Sequence, residues 1–181
     1  MVMSHKGAQY NVNCQVSAVV ADNEQVYSSN YPKAQIILRH QFEKRFFADT
    51  FVVKSESNSR NGAFPVGQGI VFTSDVLCAF ENTTPFHDFS HEDYCKWRER
   101  RKEDPRPLQA HEPAGYFQMD DKNVVVCEFD SKRPCRYILV KPTGFREKPT
   151  NFVKHNPFKD YPVEIKYFGV TGTVLEYEEA F

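Results

Sequence analysis

An all-β fold, an antiparallel β-sandwich interrupted by one helix, is what this 181-residue sequence predicts. Three observations carry that expectation. Runs rich in β-branched and aromatic residues recur along the chain, separated by polar turns. Only one stretch, near residues 90–104, carries the punctuation of a helix, so the alternation of strands and helices that a parallel sheet needs is missing. The composition, 40% apolar and 14% aromatic with 16 Phe, supplies core side chains that a disordered chain lacks. The length suits one domain. The expected organisation is a flexible lead-in over 1–10, a single sandwich over 11–173 and an acidic tail over 174–181.

The first expected strand is 12–20, with Val12, Cys14, Val16 and Ala18 on one face. A polar loop follows, and Pro32 introduces a second strand over 34–42. Residues 46–53, Phe-Phe-Ala-Asp-Thr-Phe-Val-Val, read as a third. A long loop is expected over 54–69, with Asn61-Gly62 as a turn signal and Gly67 and Gly69 relaxing the backbone. A short strand over 70–73 comes next. Residues 76–80 fit either its continuation or a helical turn.

The helix is expected over 89–104. Ser90 stands at the N-cap and Asp93 where a capping-box acid belongs, while Phe89 and Tyr94 have the spacing of a hydrophobic staple. Tyr94 and Trp97, three apart, share a face that can dock on the sheet. Asp104-Pro-Arg-Pro107 ends the helix. Tyr116 and Phe117 then return toward the core, and 123–129 reads as a strand. Two closing strands are expected: one beginning at Cys135 and ending in the turn Pro142-Thr-Gly-Phe-Arg146, and a second over 163–170, whose apolar and polar residues alternate.

Charge and cysteine usage narrow the function classes. A net charge of −1 gives the whole molecule no electrostatic pull on nucleic acid or an acidic membrane. Five cysteines at irregular spacing, with no Cys-x-x-Cys pair, read as reduced thiols. No apolar run approaches the length of a membrane helix, and the first residues lack a signal-peptide core. The expected location is therefore the cytoplasm or nucleus.

The arrangement of Arg136-Tyr-Ile-Leu-Val-Lys-Pro-Thr, a loop, and Val163-Glu-Ile-Lys-Tyr-Phe-Gly resembles the closing half of a galactose-binding or discoidin-like jelly roll. The branch it most resembles is the DOC-type domain of the anaphase-promoting complex and large ubiquitin ligases. Residues 12–31 are similar to the first strand and following loop of those domains. The resemblance implies a jelly-roll sandwich with a ligand site in the loops at one end. It further implies a non-catalytic recognition domain that binds a protein or peptide segment within a larger assembly, such as ubiquitin-ligase subunits. The alternative is a module for carbohydrate or another small polar ligand, because this fold hosts several ligand classes. The inserted helix departs from the family pattern. So does the lack of a disulfide joining the domain ends, which points to the intracellular branches.

Loops 22–31, 54–69 and 143–162 are the segments expected to converge at the binding end. Tyr27, Tyr31, Arg60, Phe64, Phe145 and Arg146 are the ligand-binding candidates. Aromatic rings offer stacking area, and Arg offers a planar fork of donors. Against this stands the plainer reading that the rings plug the sandwich ends and the Args are solvated.

His87, His91 and Cys95 are spaced four apart, and His91 and Cys95 would share a helix face. His87 precedes the cap, however, and further ligands would have to come from Cys78 or His111, so no metal or cofactor is expected. Cys95 beside His91 has the residue types of a thiolate nucleophile, but no orienting third residue can be named. Residues 96–106 carry six positive and three negative side chains around Trp97. Interspersed acids make this a salt-bridged helix face rather than a nucleic-acid surface. Gly-rich phosphate loops, nucleophile elbows and His-Glu-x-x-His are missing, and enzyme status is not expected.

Overall fold

The computed structural model describes residues 9–12, 27–28, 36–39, 44–55, 64–121, 123–130, 133–146 and 163–175. They form a β-sandwich of two sheets with one helix packed outside it. The first sheet has the order β1 (Gln9–Val12), β11 (Tyr167–Val174), β4 (Phe46–Lys54) and β7 (Val124–Glu128), with β8 (Pro134–Cys135) also on β4. The second runs β2 (Tyr27–Ser28), β10 (Val163–Ile165), β5 (Phe64–Ser74), β9 (Tyr137–Phe145) and β3 (Ile36–Arg39), with β6 (Gly115–Gln118) also on β5. Neighbours are antiparallel except β10 and β5, which run parallel.

β4 shows how the sequence builds the core. Phe46 and Ala48 point inward, and so do Phe51 and Val53, although the parity changes between the two pairs. A register shift at Thr171/Gly172 of β11 resolves this: Thr50 faces Thr171, Ala48 faces Gly172, and Asp49 is the extra residue. Without that bulge, one pair or the other would face solvent. Phe51 stacks on Phe168 at 5.6 Å between centroids and meets Phe129 and Phe117 edge-on at 5.0 and 6.3 Å. Around them, Ile36, Leu38, Val66, Val71, Ile138, Val140, Ile165 and Val170 complete the layer between the sheets.

The second sheet is covered on its outer face as well. Ile70, Phe72, Leu139 and Tyr116 point away from the sandwich core and pack against Tyr94, Trp97, Phe86 and Phe89. These belong to α1 (His91–Lys102), to the 3-10 helical stretch Leu77–Phe86 and to the connection between them. Ser90 caps α1 in the expected box: its hydroxyl accepts from the Asp93 amide at 3.1 Å, and the Asp93 carboxylate accepts from the Ser90 amide at 3.1 Å. Phe89 and Tyr94 lie in the same apolar cluster, as the staple spacing requires.

Several boundaries differ from expectation. β5 begins at Phe64, so the last six residues of the expected 54–69 loop are strand. Gly67 and Gly69 serve close packing there: a Cβ on Gly67 would meet the backbone of Phe145, and one on Gly69 would meet the Phe117 ring at 2.6 Å. Residues 77–86 resolve into a 3-10 stretch, the helical option for 76–80. The expected strand 163–170 is two strands broken at Lys166. Gln9 and Tyr10 pair with Thr173 and Gly172, so β1 starts within the segment expected as lead-in. The expected strand residues 13–20 lie outside the described residues.

Candidate functional site

The backbone of the second sheet brings several expected binding positions to one end. Tyr27 on β2 is paired with Ile165 on β10, Phe64 on β5 with Val163 on β10, and Val66 on β5 with Phe145 on β9. The Arg146 amide donates to the Pro65 carbonyl at 3.0 Å. Tyr27 and Phe64 thus lie on either side of β10, on β2 and β5, and Phe145 and Arg146 lie on or just after β9, the next strand beyond β5. For Tyr27 and Phe64 only the backbone is described; Tyr31 and Arg60 lie outside the described residues.

Phe145 is half-buried and packs partly on the sandwich core. The Arg146 guanidinium, also half-buried, donates to the Asp120 carbonyl at 2.7 Å and to the Asn123 side-chain carbonyl. A fork held in this way keeps a fixed direction. Asn123 and Asp120 are residues that sequence reasoning missed. Both come from the connection after β6, and their partner is more than 20 positions away in the chain, with no local motif to announce it.

A second polar cluster sits over the sheet under the start of α1. Tyr116 stacks on Tyr94 at 5.0 Å, and its hydroxyl donates to Gln68 Oε1 at 2.8 Å. Burial pushes the Tyr116 phenol up to about 12. The His91 ring lies 5.3 Å from that of Tyr116, and His91 Nε2 is 3.6 Å from Cys95 Sγ, so the shared helix face expected of His91 and Cys95 is present. Among the described residues no three His, Cys, Asp or Glu side chains converge as metal ligands. Cys95, Cys127 and Cys135 carry free thiols; burial raises the Cys127 thiol and pushes that of Cys135 up to about 12. Such buried thiols are protonated and poor nucleophiles.

The basic run on α1 is laced with ion pairs, as its interspersed acids predict. Lys96 pairs with Glu92, Lys102 with Glu99 at 2.6 Å, and Arg101 with Asp104 at 2.8 Å. Hydrogen bonds from Arg106 hold the Asp104 carboxyl below its ordinary range.

No protein-family model and no curated protein matches the chain. Among solved structures, it is similar to a family 32 carbohydrate-binding module of Clostridium perfringens NanJ solved in complex with galactose, at 7% identity and a TM-score of 0.45, covering 91% of this chain and 92% of that one. It is also similar to the C-terminal domain of a chitobiase from Bacteroides fragilis, at 13% identity and a TM-score of 0.45, covering 84% and 76%. A third similar structure is a fucolectin from striped bass (Morone saxatilis) serum, at 8% identity and a TM-score of 0.43, covering 92% and 46%. At these values the likeness transfers neither a ligand nor a site.

Proposed function

We propose that this chain is a non-catalytic recognition module that binds a polar ligand of the carbohydrate class at the end of the six-stranded sheet. The observation supporting this reading is the register that brings the backbone positions Tyr27 on β2, Phe64 on β5 and Phe145 on β9 to the end of the sheet where the anchored Arg146 follows β9. Aromatic residue types and an oriented guanidinium at one sheet end suit a molecule with an apolar ring face and hydroxyl edges. The test is a glycan array followed by titration of any hit. Arg146→Ala should weaken binding at least tenfold while the thermal transition stays cooperative. Failure of every glycan to bind folded protein would overturn the reading.

A second reading, recognition of a protein segment of the kind the DOC-type resemblance implies, has its own supporting observation. Val124 and Val126 on β7 are 41% and 63% exposed, and among the described strands β7 pairs only with β4. Such an edge can accept an extended peptide. A pull-down lost on Val126→Lys and retained on Arg146→Ala would favour this reading over the first.

A further inference from the structure

The C-terminal half of α1, together with Leu108 and Asp130, borders a groove distinct from the sheet end. It has a volume of about 370 Å³ and is lined by Trp97, Arg98, Arg101, Lys102, Leu108 and Asp130. That volume lies at the small end of the roughly 300–1,000 Å³ typical of small-molecule sites.

Each wall is held by interactions that do not involve a ligand. Trp97 stacks on Tyr94 at 5.7 Å, and Tyr94 is itself anchored on Tyr116. Leu108 is fixed through its carbonyl, which accepts from Arg133 Nη1. The same guanidinium is tied to Thr73 through its hydroxyl, at 2.9 Å, and its carbonyl. Asp130 is positioned by its amide, which donates to the Ala114 carbonyl at 2.8 Å. Its carboxylate meets Arg98 Nη2 at 3.0 Å. Pre-formed walls of this kind lower the ordering cost of binding.

The charges in the groove indicate which ligand it suits. Its three cations already have carboxylate partners: Arg98 has Asp130, Arg101 has Asp104 and Lys102 has Glu99. The groove lies along the C-terminal half of α1, where the helix dipole opposes an anion. A carboxylate–guanidinium pair still offers acceptor and donor valences beyond those used between its members. Vicinal hydroxyls match that pattern, and an indole beside them accepts the apolar face of a sugar ring.

From this we infer that the groove is a separate site for a neutral pyranoside ring, which packs against Trp97 and hydrogen-bonds its hydroxyls to Asp130 and Arg98. Because the groove and the sheet end share no residue, this site stands whether or not the sheet end binds a ligand.

Trp97 is the only tryptophan in the chain, so its emission reports the groove directly. The probes are galactose, glucose, fucose and N-acetylglucosamine, each titrated to high millimolar concentration, with inorganic phosphate as the anionic counterpart. At least one sugar should change the emission saturably. Arg98→Ala and Asp130→Asn should each weaken that response at least fivefold, and Phe145→Ala should leave it unchanged. No saturable response to any of the four sugars would overturn the inference. So would a response to phosphate alone, one unaltered in both groove variants, or one abolished by Phe145→Ala. Far-UV circular dichroism of each variant confirms that the readings come from folded protein.

Discussion

The two apolar clusters on either side of the six-stranded sheet differ in what their side chains carry at the tip. The inner one, between the sheets, is built around Phe51, Phe117, Phe129 and Phe168 with Ile, Val and Leu. The outer one, under the helix, uses Tyr94, Tyr116, Tyr137 and Trp97 around Ile70, Phe72 and Leu139. Lys141 is buried on that side too, its Nζ donating to the Thr83 carbonyl at 2.8 Å and lying 6.0 Å from the Phe72 ring centroid. The inner layer serves packing. The outer layer packs as well, but it holds polar tips in fixed positions near the surface, which a recognition domain can use.

That contrast predicts graded sensitivities. Phe51→Ala, which empties the centre of the inner aromatic group, should cost about 3–5 kcal/mol and lower the urea midpoint sharply. In the outer layer, Tyr116→Phe keeps the ring and removes only the hydroxyl bonded to Gln68, at a cost of about 1 kcal/mol by the same measurement. A loss as large as that of Phe51→Ala would break the distinction between the layers. Ser90→Ala removes the α1 cap and should also cost about 1 kcal/mol. Hydrogen exchange should then show the helix loosening while the amides of β4 stay protected.

The smallest effect concerns pH. Burial pushes the Asp130 carboxyl up from 3.8 to about 6, even with Arg98 beside it. A raised folded-state value means that the stability contribution is fully present below 3.8 and is lost as pH rises through about 6. Between those limits the wild-type protein should lose more thermal stability than Asp130→Asn, in which this dependence is absent. Equal slopes in the two proteins would show that Asp130 is solvated.

Much of the sandwich was legible because its strands solve a local problem. The aromatic run at 46–53 marks a half-buried strand, and Ser90 with Asp93 marks a helix start whatever lies nearby. The alternation in 163–170 marks extended chain but not its break at Lys166, where it passes from one sheet to the other. Legibility failed where distant segments decide the outcome. Residues 138–142 are buried without a break because the core covers one face of β9 and the helical layer the other. Nothing within β9 announces that second layer. Phe64 to Gly69 looked like a loop because Pro65, Gly67 and Gly69 suppress the strand signal, yet those glycines permit the close approach of β9 and Phe117. Arg146 was legible as a candidate from its turn, but its anchors Asp120 and Asn123 were not. The run around Trp97 announces only a salt-bridged helix face, since Leu108 and Asp130 reach the groove through tertiary packing.

The most direct test of the central claim is calorimetric titration of a glycan-array hit, with the sugar recovered afterwards. The account predicts saturable binding, an unaltered sugar on recovery and at least a tenfold loss of affinity in Arg146→Ala. A cleaved sugar, or wild-type affinity in that variant, would contradict it.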